Sequence, residues 1–108
     1  MMITHKEVEV YLLGMPNARL DYPFGEGTAV YKVGDKMFAL VAKGSTPVRL
    51  SLKCDPQLAT TLRERYESVM PGYHLNKKHW NTMLLSGQLS WEEVQDLIRH
   101  SYSLVSEQ

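Results

Sequence analysis

Two strand-like runs joined by a short turn constrain the fold of this chain more than any other feature. The runs TAVYKV and KMFALVA, residues 28–33 and 36–42, are mostly apolar, and several of their residues are β-branched or aromatic. Gly34 and Asp35 lie between them, and both residue types readily adopt the dihedral angles of a tight hairpin turn. The sequence therefore predicts a β-hairpin.

A further strand is predicted over VRLSLK, residues 48–53, where apolar and polar side chains alternate. Successive side chains of a strand lie on opposite faces, so this strand should have one dry face and one wet face. The wet face carries Arg49, Ser51 and Lys53 and is expected to be cationic. Residues 81–85 are predicted to form another strand.

Three amphipathic helices are predicted around these strands. The first covers residues 4–14, where Thr4 and Glu7 have the spacing of a capping box. The second covers residues 55–69 and begins with Asp-Pro, a favourable start because proline needs no donor at the first helical position. The third covers residues 90–105, with an apolar stripe opposite an acidic face.

The segment NARLDYPFGEG, residues 17–27, is rich in residues that interrupt regular structure. It is predicted to be a connection whose Tyr22 and Phe24 pack on the core as a lid. Short connections elsewhere favour antiparallel strand pairing. The expected fold is α+β: a single domain over residues 1–108, with N-terminal, central and C-terminal helices packed on a small antiparallel sheet.

Composition places the chain in the ordinary globular class, because 44% of its residues are hydrophobic and 22% are charged. No apolar run approaches the roughly 20 residues that a membrane-spanning helix needs, so no membrane partner is expected. The N-terminal residues mix charge with apolar side chains, unlike a secretory signal, and a cytoplasmic location is predicted. The single cysteine, Cys54, cannot form an internal disulfide and is expected to be a buried or half-buried residue at a strand end.

The segment HLNKKHW, residues 74–80, groups two histidines, two lysines, an amide and an indole after a Pro-Gly break. His74 and His79 lie five residues apart, but a metal site needs further ligands, so hydrogen bonding to the surrounding loop is the favoured role. Trp80 has two interpretations: a plug of a small core, which is favoured, or a surface that stacks on a base or a partner.

The sequence contains no nucleophile elbow, no phosphate-binding loop and no dinucleotide-binding glycine motif. A non-enzymatic protein without a metal or cofactor is therefore expected.

Charge is uneven along a chain whose formal net charge is zero. Residues 27–82 contain nine basic and four acidic residues, and 9 − 4 gives +5. Such asymmetry can create a local positive surface for a polyanion, but an ordinary solvated surface, with a mildly basic sheet flanked by acidic helices, is the favoured interpretation. The cations predicted to contact nucleic acid are Lys32, Lys36, Lys43, Arg49, Lys53, Lys77 and Lys78.

Five segments of the chain carry a resemblance to a known family: PGYHLNKKHWNTMLL (71–85), LDYPFG (20–25), VYKVGDKMFAL (30–40), LSLKCDP (50–56) and SYSLV (101–105). Together they closely resemble the MmcQ/YjbR family of small bacterial proteins. The resemblance implies a fold similar to the frataxin-like (CyaY-like) arrangement, with a double-wing feature and a DNA-binding role inferred from shape. It implies no reaction, cofactor or catalytic residue.

The expected function is weak DNA binding by a monomer, mainly through backbone and shape recognition. One alternative is a protein-interaction or small-ligand module with an apolar groove. Another is a purely structural motif in which His74, Asn76 and Trp80 are buried and hydrogen-bonded to one another. The residues assigned to the motif or groove are Tyr22, Phe24, Tyr73, His74, Asn76, His79 and Trp80.

Overall fold

The computed structural model describes residues 2–72 and 75–106. The elements follow in the order α1 (His5–Leu13), β1 (Ala18–Asp21), β2 (Thr28–Val33), β3 (Lys36–Ala42), β4 (Arg49–Lys53), α2 (Pro56–Arg65), β5 (Val69–Pro71), β6 (Trp80–Leu84) and α3 (Trp91–Ser106). The strands of the described residues form one antiparallel sheet in the order β1-β2-β3-β4-β6-β5. The predicted α+β class is confirmed.

The predicted hairpin is confirmed, and Gly34 at its turn has a φ of 61°. This left-handed backbone conformation costs glycine little because it has no Cβ. The strand pair β2–β3 starts at Val33 opposite Lys36, and its register shifts between Tyr31 and Lys32, where a β-bulge lies. The bulge places Phe38 on the same face as its neighbour Ala39.

The predicted helix starts are confirmed by their capping bonds. Thr4 Oγ1 accepts from the Glu7 amide over 3.1 Å, and the Glu7 carboxylate accepts from the Thr4 amide over 2.8 Å. The predicted end of the central helix at Val69 is wrong, because α2 ends at Arg65. Tyr66 adopts an extended conformation, and Val69 then pairs with β6 as part of an edge strand.

The predicted connection at residues 17–27 is also wrong in part, because Ala18–Asp21 forms edge strand β1, paired with β2. Its four residues are too few for a clear alternating pattern, and its hydrogen bonds come from β2, across a six-residue connection rich in turn-forming residues. The predicted lid is wrong as well: Tyr22 is 38% exposed and Phe24 is 62% exposed. Both lie beyond the end of β1, where they cannot reach the helix-packed core.

The main core lies between the helices and one face of the sheet. Val8 of α1 and Ile98 of α3 pack there with Leu50 and Leu52 of β4, and all four are fully or almost fully buried. The central helix lies on the same face, since Asn81, opposite Leu52 in the register, donates to the Ala59 carbonyl over 3.2 Å. No helix among the described residues is long and apolar enough to cross a membrane.

The opposite face of the sheet, called here the helix-free face, has a smaller core of its own. Val30, Leu40 and Trp80 are buried there, with Met37 and Leu75 packed against them. Leu75 lies between β5 and β6 along the chain, and its side chain covers part of the helix-free face. Polar residues complete this face, and they form the candidate site.

Candidate nucleic-acid interface

Four cations from three strands share the helix-free face. Arg19 of β1 lies directly opposite Lys32 of β2 in the register. Arg49 and Lys53 of β4 alternate with Leu50 and therefore lie on the side away from the main core. Arg19 and Arg49 are exposed, whereas Lys32 and Lys53 are half-buried.

The only carboxylate in the described strands is Asp21, which lies 3.5 Å from the Lys32 ammonium. A hydrogen bond from the Tyr22 amide, together with Lys32, lowers the pKa of Asp21 below its usual value. The strand residues of the helix-free face therefore carry four positive charges and one negative charge, and 4 − 1 gives +3.

The helices have the opposite balance. They contain four basic residues and six acidic ones, and 4 − 6 gives −2. The basic residues are Lys6, Arg63, Arg65 and Arg99, and the acidic residues are Glu7, Glu9, Glu64, Glu92, Glu93 and Asp96. Since the helices lie on the opposite side of the sheet from Arg19, Lys32, Arg49 and Lys53, the fold places the net negative charge of the helices away from these four cations.

A groove of about 330 Å³ opens on the helix-free face. Its strand residues are Thr28, Leu40, Ala42, Arg49, Ser51 and Thr82, and Phe24 and Leu75 from two connecting segments complete its lining. Ser51 and Thr82 lie opposite each other, with their hydroxyl oxygens 2.7 Å apart. The groove therefore combines apolar walls, hydroxyl groups and one guanidinium.

Ser51 corrects part of the prediction for β4. It was expected on a wet face, but it is only 9% exposed, because Thr82 on the neighbouring strand satisfies its hydroxyl and the groove walls shield it. The dry face of the same strand is confirmed, since Leu50 and Leu52 are buried. Cys54 is buried at the end of this strand, as predicted.

The segment before β6 is only partly described, because Tyr73 and His74 lie outside the described residues. Trp80 is 7% exposed, which confirms its role as a core plug, although the core that it fills lies on the helix-free face. Asn76 is exposed and its side chain accepts from the Lys78 amide over 2.9 Å. The purely structural alternative, which required a buried Asn76, is wrong in that respect.

His79 is half-buried, and its backbone ties the segment to the sheet. The His79 carbonyl accepts from the Cys54 amide over 2.7 Å, and the His79 amide donates to the Asn76 carbonyl over 3.1 Å. No cluster of potential metal ligands occurs among residues 2–72 and 75–106.

The remaining predicted cations do not all join the patch. Lys77 and Lys78 are exposed between β5 and β6, and the Lys77 carbonyl accepts from the Arg63 guanidinium over 3.0 Å, which places Lys77 beside α2. The Lys43 ammonium lies 5.2 Å from the Tyr22 ring centre, just after β3. Lys36 does not belong there, because it pairs with Val33, a residue packed against the main core, so its position in the register lies on the helix side.

Arg19 was missed by the sequence prediction because Ala18–Asp21 was treated as a connection. The alternation of apolar and charged residues over those four positions was the available signal, but four residues are too few to predict a strand from it alone. Arg19 donates to the Gly34 carbonyl over 2.8 Å, which holds its guanidinium near the hairpin turn.

Comparison with known proteins identifies relatives over nearly the whole chain. A family model described as YjbR matches residues 13–104. The chain is 36% identical over 101 residues to the uncharacterized protein YbdF of Escherichia coli O157:H7, covering 94% of this chain and 83% of that protein. It is 34% identical over 100 residues to the uncharacterized protein YjbR of Escherichia coli K12, covering 93% of this chain and 85% of that protein.

Two solved structures share the fold. The Deinococcus radiodurans protein DR2400, a DUF419 domain, has a TM-score of 0.93 and 39% identity, covering 99% of this chain and 81% of that one. A crystal structure of a Pseudomonas syringae protein has a TM-score of 0.81 and 28% identity, covering 95% of this chain and 99% of that one.

Proposed function

The chain belongs to the YjbR family, and from that premise we propose that it is a non-enzymatic protein that binds DNA through the helix-free face of its sheet. The single observation that supports this proposal is the placement of Arg19, Lys32, Arg49 and Lys53 on the one face that the helices leave open.

Phosphate neutralisation would supply the affinity. Each lysine or arginine that contacts a phosphate releases condensed counterions, so binding weakens steeply as salt rises. Arg49 and Lys53 are four residues apart on one strand, or about 13 Å at the rise of a β-strand. Arg19 and Lys32 lie on adjacent strands, about 5 Å apart along the sheet. The cations therefore cover an area large enough for several phosphates.

Sequence-specific recognition is not expected from this geometry. Side chains usually read base edges from a helix or a β-ribbon inserted in the major groove. The helices pack on the other side of the sheet, and the cations of the helix-free face are spread over a broad surface. We propose backbone and shape recognition by a monomer, with the β2–β3 and β4–β6 strand pairs as the two wings implied by the resemblance.

Salt titration of a labelled duplex tests the proposal. The Arg49→Ala, Lys53→Ala double variant should bind more weakly, and its slope of log affinity against log salt should fall by about 1.8, since each phosphate contact contributes about 0.9. The matched control is Lys6→Ala, Lys36→Ala, which removes two exposed cations from the helix side. The control should retain the wild-type slope. Identical curves for all three proteins, or no binding at low salt, would refute the proposal.

The groove supports a second candidate function, a small-ligand or protein-binding module, because its volume of about 330 Å³ lies within the range of ligand pockets. Salt distinguishes the two candidates. An apolar ligand bound between Phe24 and Leu75 would have almost the same affinity at low and high salt. The affinity for DNA would fall steeply as the salt concentration rises.

A further inference from the structure

We infer that the groove beside Arg49 receives one unpaired base of a nucleic acid, so that the preferred ligand is single-stranded DNA. The inference rests on the proposed DNA-binding function and specifies the form of DNA that the same face would bind. It depends on three features of the groove: an exposed aromatic ring, an available guanidinium and a small, partly polar interior.

The aromatic ring belongs to Phe24, which lines the groove and is 62% exposed. A phenylalanine this exposed stabilises the fold little, because most of its ring remains in water. Bases of single-stranded nucleic acids stack on such rings with little dependence on sequence, because every base has a π face. Leu75 and Leu40 supply further apolar lining for a flat ring.

The guanidinium belongs to Arg49, which is exposed and also lines the groove. Among the described residues, no hydrogen bond or ion pair engages this side chain, whereas Lys32 is held by Asp21 and Arg19 by the Gly34 carbonyl. An arginine can bind a phosphate through two parallel hydrogen bonds. Arg49 therefore complements the phosphate of a nucleotide whose base enters the groove.

The interior contains three hydroxyl groups, from Thr28, Ser51 and Thr82. The Ser51 and Thr82 hydroxyls bond to each other, whereas Thr28 is half-buried at the groove wall. A hydroxyl both donates and accepts hydrogen bonds, so Thr28 can meet a donor or an acceptor on the edge of a base. A groove of about 330 Å³ is large enough for a base but too small for a base pair flanked by its stacked neighbours.

A single strand fits these features better than a duplex. In a duplex the faces of each base are covered by stacking, and a base reaches a protein pocket only after unstacking and unpairing. A single strand avoids most of that cost, and proteins commonly bind it on an open sheet surface through stacking and phosphate contacts.

Fluorescence anisotropy with matched probes tests the inference. The probes are a labelled oligothymidylate of about 16 nucleotides, a duplex of the same length and thymidine monophosphate as a competitor. Wild type should bind the single strand more tightly than the duplex at the same salt concentration. Phe24→Leu keeps an apolar side chain but removes the ring, and it should weaken single-strand binding about tenfold while leaving duplex binding unchanged.

Two variants serve as controls. Phe24→Tyr retains a ring and should preserve single-strand affinity. Val10→Ala removes another exposed apolar side chain, 59% exposed on α1, and should change nothing. Because Phe24 and Val10 are exposed, both sites should tolerate substitution, and circular dichroism confirms folding before binding is measured.

The possible results distinguish a failure of this inference alone from a failure of the proposed function. Duplex binding as tight as single-strand binding, or an unaltered Phe24→Leu affinity, overturns the inference but leaves DNA binding in place. Thymidine monophosphate bound as tightly as the oligonucleotide also overturns it, because the groove would then serve a free nucleotide. If neither form of DNA binds at low salt, the proposed function and this inference fail together.

Discussion

The hydroxyl of Ser101 donates a hydrogen bond to the main-chain carbonyl of Phe38 over 2.5 Å. The same hydroxyl accepts from the Lys53 amide over 3.0 Å. The register of β3 with β4 ends at Ala39 opposite Leu52, so Phe38 and Lys53 are the next residues along the two strands. A side chain of α3 thus bridges two backbone groups at the point where the strands stop pairing.

Replacing Ser101 by alanine should destabilise the fold, because it removes both hydrogen bonds from a fully buried position. Leaving buried backbone groups without partners should cost about 2–3 kcal/mol. For a domain of this size, we expect a fall in Tm of about 10 °C in a thermal melt. The control is Ser103→Ala, whose hydroxyl donates to the His100 carbonyl within the same helix. An equal loss in both variants would contradict the proposed bridge.

Replacing Gly72 by alanine should also destabilise the protein. A Cβ at this position would lie 2.8 Å from the Trp80 Cβ and 3.2 Å from the Trp80 carbonyl oxygen. The two residues are held together by the Gly72 amide, which donates to that oxygen over 2.9 Å. Relief of the clash must move the chain at Gly72 and the backbone of Trp80 apart, at a cost of about 1–3 kcal/mol measured by urea unfolding.

Gly27→Ala is the matched control for the Gly72 prediction. A Cβ at Gly27 meets no atom within 4 Å, and its backbone is outside the left-handed region. The substitution should be neutral or slightly stabilising, because alanine restricts the unfolded chain. A Gly72→Ala variant as stable as Gly27→Ala would contradict the prediction, because the structure would then accommodate the added Cβ with no loss of free energy of unfolding.

Alkaline pH should destabilise the fold through Cys54. Burial, reinforced by the Asp55 carboxylate, raises the pKa of this thiol from about 9 to about 11. Between these values the unfolded chain loses the proton while the folded chain keeps it, so stability is complete below pH 9 and falls as pH approaches 11. Burial raises the pKa of Tyr31 to about 12, and that phenol adds a loss beginning near pH 10.

A Cys54→Ala variant isolates the contribution of the thiol. Its stability relative to wild type should improve by about 2 kcal/mol from pH 8 to pH 11, since each unit of pKa difference is worth about 1.4 kcal/mol. Urea unfolding at the two pH values measures this difference. If the free energies of unfolding of the two proteins differ by the same amount at both pH values, the thiol does not titrate in this range with different pKa values in the folded and unfolded chain.

Replacing Asp21 by asparagine should strengthen DNA binding if the helix-free face is the binding surface. The substitution removes the carboxylate beside Lys32 and raises the strand charge of that face from +3 to +4. An amide oxygen can still accept from the Tyr22 amide, so the end of β1 should be preserved. We expect about a two- to tenfold gain in affinity at low salt and little change in stability.

Glu92→Gln on α3 is the charge-matched control for Asp21→Asn. Glu92 is exposed on the helix side, and its replacement adds the same single positive charge to the whole protein. An equal gain from both variants would mean that net charge, rather than the helix-free face, governs binding.

Local sequence signals predicted most elements of the fold. Capping residues Thr4 and Asp55 located two helix starts, and Gly34 located the hairpin turn, because each acts on its immediate neighbours. Strand β1 was not predicted, because its four residues form a strand through their hydrogen bonds to β2 rather than through a local sequence signal. The end of α2 was misplaced because the pairing of Val69 with β6 competes with helix formation.

The candidate site was less predictable than the fold. Alternation within β4 placed Arg49 and Lys53 on one face, since strand geometry alone determines that relation. It could not separate Lys36 from them, because register and the bulge in β2–β3 determine its side of the sheet. Nor could it show that Phe24 and Leu75, about 50 residues apart, line the same groove.

The sequence by itself determined the α+β class, the hairpin and the helix starts, because these depend on turn chemistry, capping and periodicity over a few residues. Only the tertiary structure decided that the helices cover one face of the sheet and that the cations and groove share the other. Those relations depend on strand order and register, which join residues that are distant along the chain.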